Sequence, residues 1–244
     1  MTKSVLITGA TRGLGANLAR EFAGRGYCLA LTGRSEASLQ ALAEELRQLS
    51  PQIVVQQLDV ENVEMIPDVL RHCAQALDGL DIVVANAGIA TATPVGKGQL
   101  EQMKSVIQVN LMGGIATAEA AIELFREQGR GQLVGITSVA GIRGLRNNGV
   151  YCASKAGFSR YLEAARLETL DESISITELA PGFIDTDLNR GMASRPFVIS
   201  AEKGTRIMAD LIERRVKFSF VPPWPWSLVA RILAWLPESV IRKM

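Results

Sequence analysis

The chain has 244 residues, 48% apolar and 21% charged, the composition of an ordinary globular domain of α/β size. Its 26 Lys and Arg nearly balance 25 Asp and Glu, so no global field attracts nucleic acid. The single histidine and the scattered Cys28, Cys73 and Cys152 make no metal-ligand cluster and no Cys-x-x-Cys pair, so no metal and a reduced, cytoplasmic setting are expected.

Met1 to Ser4 leads straight into Val5-Leu6-Ile7, a strand-like run, so no signal peptide is expected. The run stops at Thr8-Gly9-Ala10-Thr11-Arg12-Gly13-Leu14-Gly15, after which Leu14, Leu18 and Phe22 recur at helical spacing. Strand, glycine turn and helix together form the setting in which backbone N–H groups meet a phosphate at a helix N-terminus. The plain alternative is a tight strand–helix turn, because Gly-x-x-x-Gly-x-Gly is neither the common Rossmann spacing nor a P-loop. Residues 27–32 read as the second strand, ending at Gly33-Arg34-Ser35. A carboxylate here usually bonds the ribose 2′-hydroxyl of NAD. This chain has Gly33 and then Arg34, with Arg12 in the first loop, and two guanidiniums suit a 2′-phosphate. NADP(H) is therefore favoured over NAD(H), against the alternative of two solvated surface arginines.

Leu39, Leu42, Leu46 and Leu49 mark a helix ending at Ser50-Pro51, and 53–58 a third strand closing on Asp59-Val60. A helix over 63–77 carries His72, for which a structural role is expected. The fourth strand, 81–85, stops at Asn86-Ala87-Gly88, small residues that permit close approach of a ligand. Residues 100–127 read as one long helix. Asn110 and Gly113-Gly114 are poor helix formers, so a local distortion or a functional need is expected there. The fifth strand, 133–137, leads to Ser138. A helix carrying Tyr151 runs to about Leu170, and a sixth strand, 174–179, closes on Ala180-Pro181-Gly182. This alternation predicts a doubly wound, Rossmann-like parallel sheet of about seven strands with helices on both faces, in a single domain.

The chemistry concentrates in residues 138–155. Tyr151 and Lys155 are four apart, so a helix puts them on one face, roughly 5–6 Å apart at Cβ. An ammonium beside a phenol favours the phenolate, so the Tyr151 pKa is expected below its ordinary ~10. A helix starting at Asn148 or Gly149 adds its N-terminal dipole in the same direction. The expectation is a tyrosine that exchanges a proton near neutral pH. Ser138, at the carboxyl end of a strand, falls where open α/β sheets bind ligands. A lone Tyr-x-x-x-Lys also arises by chance, so its weight rests on the motifs around it.

In combination these motifs resemble the short-chain dehydrogenase/reductase family in its shorter single-domain form, over residues 3–190. Gly9, Thr11, Arg12, Gly13, Leu14 and Gly15 are similar to its cofactor loop, Asp59 and Val60 to its adenine-contacting pair, and Asn86, Ala87 and Gly88 to its central motif. Ala85 stands where many members have a further Asn. Asn110, Ser138, Tyr151 and Lys155 resemble the family's catalytic four, and Pro181, Gly182, Ile184 and Thr186 its nicotinamide-side loop. The resemblance implies hydride transfer between NADP(H) and a carbonyl or alcohol. In it Tyr151 is general acid or base, Lys155 tunes it and binds ribose, Ser138 polarises the substrate oxygen, and Asn110 holds a relay water. It also implies a homo-oligomer, dimer or tetramer. The alternative is a catalytically silent NADP-binding regulator or scaffold, which the four intact residues disfavour. A sugar-nucleotide epimerase or dehydratase needs a larger region after Pro181-Gly182 than this chain has.

Past Leu188 the resemblance thins. A short lid over 189–200, a helix over 201–214 and a seventh strand over 216–221 complete a catalytic domain of 1–221. The tail, 222–244, holds all three tryptophans, several prolines, and Arg242-Lys243 at its end. Its apolar run falls short of the ~20 residues needed to span a bilayer. The plain expectation is a helix packed on its own domain or a sister subunit, with peripheral membrane contact as the alternative. Ile142, Leu145, Phe183, Ile184, Leu188 and Phe197 are expected around the nicotinamide, ringed by Arg143, Arg146, Arg190 and Arg195. They suggest a lipophilic carbonyl or alcohol substrate, one with an anionic end if the arginines face it.

Overall fold

The computed structural model describes residues 2–192 and 194–242, so Met1, Ala193 of the expected lid, and Lys243 and Met244 of the tail lie outside it. Short apolar runs become strands, the central ones buried on both faces as a parallel sheet covered by helices requires and the two edge strands only partly so. The strands are β1 (Ser4–Ile7), β2 (Cys28–Gly33), β3 (Ile53–Gln57), β4 (Ile82–Ala85), β5 (Gly131–Ile136), β6 (Ile174–Pro181) and β7 (Phe218–Val221). They form one sheet in the order β3-β2-β1-β4-β5-β6-β7, every pairing parallel.

Alternation along each strand divides the core. Val5, Ile7, Leu29, Leu31, Val84 and Val134 face α1 (Gly13–Gly24), α2 (Glu36–Leu46) and α7 (Ala201–Glu213). Leu6, Ala30, Val83, Leu133 and Ile176 face α3 (Ile66–Ala76), α5 (Gly113–Gln128) and α6 (Gly149–Glu168). Fully burying each large aliphatic side chain contributes about 1.5–3 kcal/mol. Sequence order reverses between β1 and β4, so the loops after these two strands diverge and leave a crevice at their carboxyl ends.

The expected distortion of the long helix is a π-helical turn, Gln108–Met112, between α4 (Leu100–Ile107) and α5. Small residues permit close packing just after it: a Cβ on Gly113 would stand 2.8 Å from Val60 O, and one on Gly114 3.2 Å from the Phe158 ring. By length and composition alone Leu100–Gln128 is apolar enough to cross a membrane. Half of its apolar window is buried within the protein, with Ala118, Ala121 and Phe125 fully so, which makes it a core helix of this fold.

The second helix stops short of the sequence pattern, at Leu46, leaving Leu49 exposed. The proline-rich tail is helical, the plain expectation for it, as α8 (Pro223–Trp235) and α9 (Glu238–Ile241). Pro223 and Pro225 fall in the first turn, where no backbone N–H is required of them. His72 lies on the exposed face of α3.

Candidate active site

The glycine-rich loop leaves β1 at Thr8, whose N–H donates to Val84 O (3.0 Å). The Thr8 hydroxyl accepts the N–H groups of Asn86 (3.0 Å) and Ala87 (3.1 Å), and the Asn86 amide donates back to Thr8 O (2.9 Å). The loops after β1 and β4 are thereby stitched together. Gly9 and Gly13 sit at φ +68° and +57°, a region glycine enters without steric cost. Arg12 precedes α1 but makes no side-chain cap, and the first turn carries no acidic residue. The helix therefore presents uncapped N–H groups at the crevice, a fit for the diphosphate of a dinucleotide. Thr186 stands against the same loop, 3.7 Å from where a Cβ on Gly13 would be.

At the end of β2, Gly33 lies beneath Thr11, with only 2.9 Å between a Cβ there and Thr11 Cγ2. Arg34 and Arg12 are exposed, and neither pairs with a carboxylate among the described residues. Asp59 is exposed and accepts the N–H of Glu61 (3.1 Å), while Val60 is buried under the π-helical turn.

Asn110 is 1% exposed and its amide is fully used. Its Oδ1 accepts Ile89 N–H (2.8 Å), and its Nδ2 donates to Ile89 O (2.9 Å) and Ser154 Oγ (3.2 Å). The π-helical turn thus aims Asn110 sideways to hold the irregular segment after Gly88. Ser154 in turn donates to Tyr151 O (2.8 Å). Sequence reasoning passed over Ser154, although it stands directly before Lys155.

Ser138 follows β5, as expected. Its hydroxyl accepts Ala140 N–H (3.1 Å) and donates at the limit of hydrogen bonding to Pro181 O (3.5 Å). Tyr151 and Lys155 lie one turn apart in the first two turns of α6. The Lys155 side chain is buried and donates to Ile136 O (2.9 Å). A Cβ on Gly88 would stand 3.3 Å from Asn110 Oδ1 and 3.5 Å from Lys155 Nζ, so the β4 loop lies over both.

The electrostatics correct one expectation. Burial raises the Tyr151 phenol above its usual value, and the neighbouring Ser138 hydroxyl only partly offsets this. Burial pushes Lys155 down to about 8. The desolvation of both groups outweighs the help that the ammonium was expected to give the phenolate.

The expected pocket wall is also redrawn. The Ile184 side chain is 2% exposed and packs in the core under Gly204, so only its backbone is left to line the crevice. Arg190 pairs with Asp187 (2.7 Å) and Asp185 (3.4 Å), and Arg195 with Asp185 (2.5 Å). Arg143 turns to the tail, donating to the carbonyls of Leu233 (3.2 Å) and Leu236 at the end of α8. Of the four arginines, only Arg146 remains as an exposed cation without a carboxylate partner among the described residues. Trp226 takes part instead: it is 4% exposed and lies against Gly182, with Phe183 and Phe197 each 6.0 Å from it ring to ring. Any side chain at 182 would collide with the indole. The clustering of tryptophans was the sequence's only signal for this contact.

This geometry is that of a dinucleotide-binding oxidoreductase, and the comparisons with known proteins agree. The family described as short chain dehydrogenase matches residues 3–196. An uncharacterised oxidoreductase of Mycobacterium tuberculosis is 36% identical over 244 residues, covering 99% of this chain and 96% of that one. Another, from Myxococcus xanthus, is 32% identical over 240 residues, covering 98% and 94%. Among solved structures, an alcohol dehydrogenase from Thermococcus sibiricus complexed with 5-hydroxy-NADP superposes with a TM-score of 0.82 at 27% identity, over 91% of this chain and 96% of that one. A Burkholderia phymatum short chain dehydrogenase/reductase in complex with NAD shares the fold, with a TM-score of 0.85 at 20% identity over 95% and 92%. The chain belongs to the short-chain dehydrogenase/reductase family. It is a single-domain oxidoreductase whose family binds a nicotinamide nucleotide.

Proposed function

We propose that this protein interconverts a lipophilic carbonyl compound and its alcohol with NADP(H). The observation that carries the reading is the convergence of Ser138, Tyr151 and Lys155 at the carboxyl ends of β4 and β5, beside the glycine-rich loop. When bound, the nicotinamide supplies or accepts the hydride. In the reducing direction Tyr151 Oη delivers the proton to the carbonyl oxygen as hydride reaches its carbon; in the oxidising direction it takes the alcohol proton. A phenol held protonated suits the reducing role at neutral pH. Ser138 Oγ donates to the same substrate oxygen and stabilises its developing charge. Lys155 would bond the nicotinamide ribose and support proton return to Tyr151 through a water behind it; the Asn110 amide, committed to Ile89 and Ser154, keeps the segment at Ile89 in place rather than holding that water.

The pair of exposed arginines, Arg12 and Arg34, supports NADP(H), as does the lack of a carboxylate at the end of β2. The partly buried Ile142, Leu145 and Phe183 support an apolar substrate. The free thiols of Cys28, Cys73 and Cys152 fit the reduced cytoplasm, and assembly into a homo-oligomer is part of the reading. A silent scaffold has no use for an ammonium as deeply buried as that of Lys155.

The test is turnover of a panel of carbonyl compounds and alcohols with NADPH and NADH, for wild type and Tyr151→Phe. The expected result is NADPH-preferring turnover that falls by ~10²–10⁴-fold in the variant while NADPH still binds. Near-normal turnover in Tyr151→Phe removes the phenol from the reaction. A protein that binds NADPH but turns over nothing on the panel favours the regulator reading.

A further inference from the structure

The helix α8 is apolar on two opposite faces. Trp226, Ala230 and Leu233 are buried on the domain, whereas Leu228, Ile232 and Trp235 form a second line at the same i, i+4, i+7 spacing on the far side. The two lines are offset by two residues, or about 200° round the helix. The outer line is open: Leu228 is 45% exposed, Ile232 50% and Trp235 89%. Trp224, whose backbone is extended rather than helical, adds an indole that is 72% exposed at the start of the helix. A helix apolar all round is normally covered on all sides.

Charge decides what covers this one. The tail, residues 222–244, carries Arg231, Arg242 and Lys243 against the single carboxylate of Glu238, a net +2, while the whole chain is only +1, so the remainder is −1. Arg231 sits on α8 beside the exposed line, and Arg242 is exposed just past α9. A second copy packed through the same stripe would bring Arg231 towards its own counterpart with almost no carboxylate to answer it. An anionic lipid surface offers phosphates to the arginines and acyl chains to the stripe.

We propose that α8 docks this protein on anionic membranes, lying in the interface with Trp224, Leu228, Ile232 and Trp235 immersed and Arg231 and Arg242 at the headgroups. At 13 residues the helix is roughly 20 Å long, short of the ~30 Å hydrocarbon layer, so it lies in the plane. Tryptophans at its two ends suit the headgroup level. The inner face of the same helix holds Trp226 against Gly182, which brings the nicotinamide-side loop close to the lipid.

The test is co-sedimentation of the full chain with phosphatidylcholine vesicles, with and without about a third phosphatidylglycerol, a fraction chosen to give a clear surface charge. Binding is expected to the anionic vesicles and to weaken with salt. The triple variant Leu228→Ser, Ile232→Ser, Trp235→Ser should lose at least tenfold in partitioning. Arg231→Gln should lose roughly fivefold, the value of one charge near such a surface. Melting temperature and NADPH binding check that each variant is folded. If the triple variant does not fold, quenching of the wild-type tryptophans by brominated anionic lipid decides, and its absence overturns the proposal. Failure to bind either vesicle also overturns it, as does equal binding to both. So does a light-scattering mass that falls by half in the triple variant without any vesicle binding, which would assign the stripe to a second copy.

Discussion

Replacing Lys155 with methionine should make the cofactor-free protein more stable at neutral pH while abolishing turnover. Lys155 is 5% exposed, its ammonium donates to Ile136 O at 2.9 Å as its single partner among the described residues, and burial moves its pKa from 10.5 to about 8. At ~1.4 kcal/mol per pKa unit, holding the charge in the folded state below pH 8 costs about 3 kcal/mol. The variant also forfeits a charge-assisted hydrogen bond worth about 1.5–3 kcal/mol. The net gain at pH 7 is then about 1 kcal/mol. The pH dependence is the sharper readout. The unfolded chain holds this proton up to 10.5 and the folded chain releases it near 8. Between those values the unfolded state binds more protons, so wild-type stability rises with pH. The variant lacks this rise, so the stability difference should move by about 2 kcal/mol from pH 7 to pH 9.5, turning its advantage of about 1 kcal/mol into a deficit of similar size. Urea unfolding of both proteins at the two pH values measures this, because the tyrosines and cysteines common to both cancel in the difference. A stability difference that stays constant across the window would refute the buried-ammonium account.

Arg12→Ala with Arg34→Ala should weaken NADPH binding by ten-fold or more, the loss of about 1.5–3 kcal/mol of charge-assisted bonding to the 2′-phosphate, and leave NADH nearly unchanged. Equal losses in a fluorescence titration would reduce the two to surface charges, and a wild-type preference for NADH would overturn the coenzyme assignment. Asn110→Ala leaves the N–H and C=O of Ile89 without their side-chain partner. At ~1–3 kcal/mol for each unmet group the melting temperature should drop by several degrees, and turnover should drop with it as the β4 loop loosens. Unchanged melting would mean that water replaces the amide at no cost.

Much of this protein was legible one residue at a time. Strands and helices of a doubly wound sheet are written in local periodicity, because a strand buried on both faces must be apolar throughout and a covering helix must be apolar every third or fourth position. Tyr151 and Lys155 share a face by helical spacing alone, and Ser138 follows from the end of β5. The helix breakers at Asn110 and Gly113-Gly114 announced a distortion, since local propensity fails where another demand prevails. The tertiary structure decided what depends on residues far apart in the chain. Burial, not the Tyr-x-x-x-Lys spacing, sets the protonation of Tyr151 and Lys155, because desolvation depends on the β4 loop and β5 closing over them. Ile184 goes to the core because α7 leaves room under Gly204. Arg143 caps α8, ninety residues on, and Trp226 lies on Gly182, contacts that no local pattern encodes. The second apolar face of α8 could be counted in the sequence, but only the packing of Trp226, Ala230 and Leu233 showed which face the domain uses and which it leaves open.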